Sequence, residues 1–215
     1  MEIQENVLLE NFLRIKQFAD YLIGSIEPLI IAEVKTQTPH GSWRAKKTWD
    51  ELLEIAIEIG NMVAIHTDFR WGGSFDLVRR AVRRTRKPIL AKGYHGTDDL
   101  VRRAFDAGAA FTLVVGRIPC VMPGRCLIEV NAVREFKILS KGTLAAWNAR
   151  WPLTGEEKTE TFEEARRAWS GFLCQASLIK TVEDIKPGAD AVLVGTYLPE
   201  FAESLKESRH RELGG

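Results

Sequence analysis

Eight short apolar runs punctuate this chain, and helical patterns separate most of them. The runs are "LIIAEV" (29–34), "MVAIHT" (62–67), "PILAKG" (88–93), "FTLVVG" (111–116), "CLIEVN" (126–131), "TLAAWN" (143–148), "GFLCQA" (171–176) and "AVLVGT" (191–196). They are near-continuous, as strands buried on both faces must be. Between them, "TWDELLEIAIEIG", "SFDLVRRAVRRT", "TDDLVRRAFDAGA", "TFEEARRAW" and "TVEDIKPGA" read as helices, several preceded by a Ser or Thr suited to an N-cap. Leu8, Leu9, Phe12, Leu13, Ile15, Phe18, Tyr21 and Leu22 recur at helical spacing and predict an amphipathic helix over 4–24, within an N-terminal extension over 1–27. Eight βα units in 215 residues predict one α/β domain spanning 1–215, a closed (β/α)8 TIM barrel. The absence of a Gly-rich dinucleotide fingerprint after the first run argues against an open, doubly wound sheet. One unit departs from the pattern. "GRIPCVMPGRC" (116–126) holds two prolines and two glycines without helical period, so the fourth barrel helix is expected to be missing or reduced to a turn.

Composition narrows the partners. Hydrophobic residues make up 45% and charged ones 27%, an ordinary globular balance, and a net charge of +1 gives no reason to expect nucleic acid or an anionic membrane surface. No apolar run approaches the roughly 20 residues that span a bilayer. The start, "MEIQENVLLENF", is acidic and lacks the basic region of a signal peptide. Cys120, Cys126 and Cys174 are odd in number and lack metal spacing, so they read as buried free thiols in a reducing compartment. The expectation is a cytoplasmic protein, a monomer or weak homodimer, with no metal and no cofactor. The basic run "RRAVRRTRK" reads as an outer helix face pairing with the acids of "DELLEIAIEIG". His66 lies in a strand pattern and reads as a satisfied histidine of the core or mouth; His40 and His95 follow strands and read as solvated loop residues.

Polar residues end many of the apolar runs. Glu33 and Lys35 stand two apart at the end of the first, hence on the same side of a strand. Lys92, Glu129, Asn148 and Ser177 end the third, fifth, sixth and seventh; Gly195 and Thr196 follow the eighth. The C-terminal strand ends of such a barrel carry its active site. Buried charges are costly unless paired, and two lysines with two glutamates at one mouth offset each other. Gly195 and Thr196, just before the last helix, with Ser177 and Thr38 from the seventh and first loops, form a candidate phosphate cradle of amides and hydroxyls.

With those residues in view, "IIAEVKTQTP", "GGSFDLVRR", "PILAKG", "LIEVN", "WNAR" and "ADAVLVGTYL", in this order, resemble the indole-3-glycerol phosphate synthase family from about Pro28 to Leu198. The most specific part is Glu-x-Lys-x-x-Ser/Thr-Pro, here Glu33, Lys35, Thr38 and Pro39. The resemblance implies a lyase of tryptophan biosynthesis that closes the indole ring of 1-(2-carboxyphenylamino)-1-deoxyribulose 5-phosphate, releasing carbon dioxide and water. It implies Lys92 as the general acid on the ribulose carbonyl and Lys35 as holder of the substrate carboxylate and aid to the dehydration. Glu129 resembles the general base; Glu33 and Asn148 resemble the groups that orient the lysines and sugar hydroxyls. Arg150 and Trp71 fall on the family's arginine and on the aromatic that faces the anthranilate ring. Thr38, Ser177, Gly195 and Thr196 take the phosphate positions. Trp147 and Trp151 either wall the aromatic end of the substrate or pack the sixth loop.

Four departures qualify the match, a short N-terminal extension among them. The family's Lys-Asp-Phe is here Lys92, Gly93 and Tyr94, and its Glu-Ser-Gly is Ala176, Ser177 and Leu178. The fourth helix is also degraded. Two other readings therefore stand beside the lyase: a related phosphosugar isomerase or lyase on the same barrel, and a non-catalytic barrel that binds a ligand.

Overall fold

The computed structural model describes residues 27–213; the helix expected over 4–24 lies outside the described residues. Eight strands, β1 (Leu29–Val34), β2 (Met62–His66), β3 (Ile89–Lys92), β4 (Phe111–Val115), β5 (Cys126–Val130), β6 (Leu144–Asn148), β7 (Leu173–Ala176) and β8 (Ala191–Val194), form a closed barrel. All neighbours run parallel, and β8 pairs back onto β1. The chain is thus a (β/α)8 barrel. Alternation along each strand divides the core into two layers. Leu29, Ile31, Ala64, Leu90, Leu127, Cys174 and Leu193 pack together, while the intervening Ile30, Ala32, Val63, Ile65, Ala91 and Val192 pack against the helical shell. Extending the first row of β1 by its period of two leads from Ile31 to Glu33 and then to Lys35.

Four helices begin on the caps expected of them. Thr48 caps α1 (Trp49–Ile59) in a reciprocal box with Glu51; Ser74 caps α2 (Phe75–Arg84), and Thr97 caps α3 (Asp98–Asp106). Thr161 caps α4 (Phe162–Ala168) in a second box with Glu164. The last helix, α5 (Leu198–Leu213), follows β8. Arg80 and Arg84 of α2 reach Asp50 of α1 at 2.6 and 3.5 Å, and Arg84 also pairs with Glu54. The basic run is therefore an outer face paired between neighbouring helices.

The fourth helix is reduced to a single 3-10 turn, Pro123–Arg125. Arg125 partly replaces it: its guanidinium donates to the carbonyls of Ala110 and Ala109 at 2.8 and 3.0 Å. A helix expected in "TVEDIKPGA" is not formed; only Val182–Asp184 make a 3-10 turn. Pro187 disfavours helical backbone at Lys186, and the Gln175 side chain takes the Asp184 carbonyl and the Lys186 N–H that a longer helix would use. The segment after β5 is likewise 3-10, Val133–Ile138. Two of the cysteines, Cys126 and Cys174, are buried free thiols, but Cys120 is exposed on the loop that replaces the fourth helix. No helix among the described residues is long and apolar enough to cross a membrane.

Candidate functional site

The mouth of the barrel gathers what the strand ends advertised. Lys35, Thr38, Trp71, Lys92, Glu129, Asn148, Arg150, Ser177 and Thr196 border one cavity of about 320 Å³. Glu33 and Gly195 border an adjoining recess of about 50 Å³, which shares Lys35, Lys92, Arg150, Ser177 and Thr196 with the cavity. All eleven candidate residues therefore belong to one continuous site. Its volume lies at the low end of the roughly 300–1,000 Å³ of small-molecule pockets.

Two ionic arrangements organise it. Lys92 Nζ lies 3.1 Å from Glu33 Oε2, with both side chains largely removed from solvent. Burial alone would push the Glu33 carboxyl up, but the ammonium groups of Lys92 and Lys35 hold it down at about 2. Glu33 Oε1 is buried and accepts no hydrogen bond from any described residue. Glu129 faces the opposite balance: burial raises its carboxyl above the ordinary range, against the pull of Lys92 and a 3.0 Å hydrogen bond from Asn148 Nδ2. Carboxyls whose environments push them apart can divide acid and base roles between them. Burial and the neighbouring Lys92 and Arg150 lower the Lys35 ammonium, with Glu33 opposing; its Nζ lies 5.6 Å from the Trp43 ring centre. Lys35, Lys92 and Arg150 stand against Glu33, Glu129 and, on Arg150, Glu157; because burial makes Glu129 resist ionisation, the site favours an anionic ligand.

Asn148 ties loops six and seven together. Its Oδ1 accepts from Ser177 Oγ at 2.6 Å and from the Arg150 N–H at 3.1 Å. The Arg150 guanidinium pairs with Glu157 at 3.2 Å, and its buried Nε has no partner among the described residues. Gly195 is glycine for a local reason: a Cβ there would stand 2.1 Å from Glu33 Oε2. Gly195→Ala should therefore drive the Glu33 carboxylate off Lys92 and destabilise the fold by about 2 kcal/mol or more, read as a lower urea midpoint. Thr38 borders the larger cavity, but its hydroxyl donates to the His40 carbonyl at 2.6 Å, away from the recess flanked by Ser177, Gly195 and Thr196.

The departures acquire physical causes. A side chain at position 93 has no room, because a Cβ on Gly93 would come 2.4 Å from Thr67 Oγ1 and 3.2 Å from the His95 ring. His95 is not the solvated loop residue expected. It is 2% exposed, donates from Nδ1 to the Leu113 carbonyl at 2.6 Å and meets Thr67 Oγ1 at 3.1 Å through Nε2. Thr67 Oγ1 also lies 3.1 Å from the Lys92 carbonyl, so this pair supports the Lys92 turn. Ser177 and Leu178 adopt left-handed backbone, φ 67° and 58°, a region that strains a residue carrying Cβ by roughly 1–2 kcal/mol. Leu178 is 41% exposed and gains little by packing. Leu178→Gly is expected to raise stability by about 0.5–1 kcal/mol, as calorimetry would show.

Sequence reasoning left several lining residues unassigned, among them Trp43, Tyr94 and Tyr197, and read His66 only as a satisfied histidine of the core or mouth. His66 was detectable, because period two in β2 places Met62, Ala64 and His66 on one face. Trp71 ends a 3-10 turn, Phe69–Trp71, and stacks on His66 at 4.6 Å between ring centres. Gly73 allows that turn to lie directly on the strand, since a Cβ there would meet the His66 carbonyl oxygen at 2.0 Å. Lys158, unremarked in the sequence, lies 4.4 Å from the Trp147 ring centre and 5.0 Å from that of Trp151. Trp147 is wholly buried in the outer core, whereas Trp151 borders the cavity.

No family model matches the chain. Among solved structures, dihydropteroate synthase from Xanthomonas albilineans in complex with 7,8-dihydropteroate is similar in fold, with a TM-score of 0.52 over 87% of this chain and 94% of that one. At 10% sequence identity the likeness is one of barrel architecture.

Proposed function

We propose that this barrel is an indole-3-glycerol phosphate synthase-like carboxy-lyase acting on 1-(2-carboxyphenylamino)-1-deoxyribulose 5-phosphate. The observation that carries the reading is the convergence of Lys35, Lys92, Glu129, Asn148 and Arg150 on one cavity, beside a recess bordered by Ser177, Gly195 and Thr196. The substrate has an anion at each end, and the site offers cations and amides to match. Its phosphate takes the recess before α5, where backbone N–H groups and the helix dipole favour it. Its carboxylate meets Lys35, and its ring lies against Trp71.

The steps follow from what each side chain can hold or release. Lys92 gives a proton to the ribulose carbonyl oxygen as the aromatic carbon attacks, so one carbon–carbon bond forms while the carbonyl π bond breaks. The carboxylate leaves as carbon dioxide, and its bonding pair restores the ring. Glu129 then takes a proton while the new hydroxyl departs as water with help from Lys35, giving the indole. Each well-placed transfer is typically worth about 10²–10⁴-fold.

The test is fluorescence detection of indole product from purified protein and this substrate, with Lys92→Ala as control. The reading requires product from the native protein alone. The positions of Gly93 and Ala176, which lack the carboxylates of the family motifs, favour a second reading as a related phosphosugar isomerase or lyase. A panel of ribulose phosphates separates the two, and binding without turnover of any of them would leave a ligand-binding barrel.

A further inference from the structure

We infer that His66 presents its Nε2–H to the substrate oxygen beside Lys92, as a hydrogen-bond donor added to the lysine. This inference rests on the lyase reading for the identity of the substrate. His66 ends β2 and is the register partner of Lys92 on β3, so the two side chains stand next to each other on the same face. The ring borders the cavity and is 4% exposed. Two contacts fix it. It stacks on Trp71 with ring planes 4° apart, and its Nδ1 accepts the Asp68 backbone N–H at 3.4 Å. An Nδ1 that accepts leaves the ring proton on Nε2, which makes no hydrogen bond to any described residue.

The charges around the ring suit a donor that stays neutral. Burial lowers the imidazole to about 3; Lys92 and Lys35 act in the same sense, while Glu33 and Asp68 oppose them. A neutral imidazole polarises a carbonyl without adding a fourth cation to Lys35, Lys92 and Arg150, and it does not give up its proton in the step. Lys92 supplies the proton; His66 stabilises the oxygen as negative charge develops on it.

Two measurements test this. Nitrogen-15 spectra of the ligand-free protein should show His66 as the neutral Nε2–H tautomer from pH 5 to 8. In turnover, His66→Leu should lower kcat/KM by about 10- to 100-fold, mainly through kcat, and His66→Gln, which keeps a donor amide, should recover most of the loss. A charged ring or an Nδ1–H tautomer at pH 7 overturns the inference whatever the substrate. Native turnover with an unimpaired His66→Leu variant overturns it and leaves the lyase reading intact. No indole from the native protein overturns the lyase reading, and the tautomer then decides whether His66 is a donor at all.

Discussion

Lys92→Ala is expected to abolish indole formation and to weaken the fold at the same time. The catalytic loss follows from removing the proposed proton donor, about 10²–10⁴-fold in kcat/KM. The structural loss follows from Glu33. That carboxylate is buried, one oxygen has no partner among the described residues, and the other faces Lys92 at 3.1 Å. Removing one partner of a buried pair leaves the other uncompensated, at roughly 3–5 kcal/mol; Lys35, which also lowers the Glu33 carboxyl, offsets part of it. A second substitution separates the two effects. Glu33→Gln in the Lys92→Ala background removes the orphaned charge and should recover most of the urea midpoint with no return of product fluorescence. If the double variant is no more stable than Lys92→Ala, the ion pair is not what the mouth depends on.

Glu129→Gln should do the opposite to stability while also stopping turnover. Burial raises the Glu129 carboxyl above its ordinary value of 4.5. A carboxyl raised on folding favours the fold below its unfolded pKa and loses that advantage as pH rises through the folded value. At pH 7 the raised carboxyl therefore opposes folding, and an isosteric amide, able to accept the Asn148 hydrogen bond through its carbonyl, relieves it. The variant should melt higher than native protein at pH 7, with the gap shrinking toward pH 4.5, and turn over about 10²–10⁴-fold more slowly. Glu33 behaves in the reverse sense. Its carboxyl lies at about 2, so its stabilisation is present above 4.5 and is lost as pH falls from 4.5 through 2. Denaturation curves from pH 3 to 8 on native, Glu33→Gln and Glu129→Gln proteins would resolve the two trends; identical slopes would contradict the division of roles between the carboxyls.

The strand ends were legible because a barrel interior leaves few places for charge. Once β1 is a strand, period two puts Glu33 and Lys35 on the face of Ile31, and that face is the inside. The reduced fourth helix was equally plain from Pro119, Pro123, Gly116 and Gly124. The remainder depended on contacts between distant residues. Gly93 looked like the loss of a supporting carboxylate. Its replacement, the Thr67–His95 pair, spans 28 positions and requires His95 to turn its ring inward from a left-handed backbone, φ 42°. Its neighbours, Gly93 and Gly96, suggest an open loop instead. Thr181 and the acids after it resembled a helix start, and only the Gln175 side chain, together with Pro187, shows why the turn stops. His66 went unused for a simpler reason: a histidine inside an apolar run reads as a satisfied side chain of the core or mouth until the register places it beside Lys92.

The most direct measurement is a crystal structure of the protein with indole-3-glycerol phosphate, the product of the proposed reaction. The account requires phosphate density against Ser177, Gly195 and Thr196, the indole ring on Trp71, and Lys92 and Glu129 on either side of the new ring carbon. Product seated elsewhere on the barrel, with Lys35, Lys92 and Glu129 untouched, would contradict it.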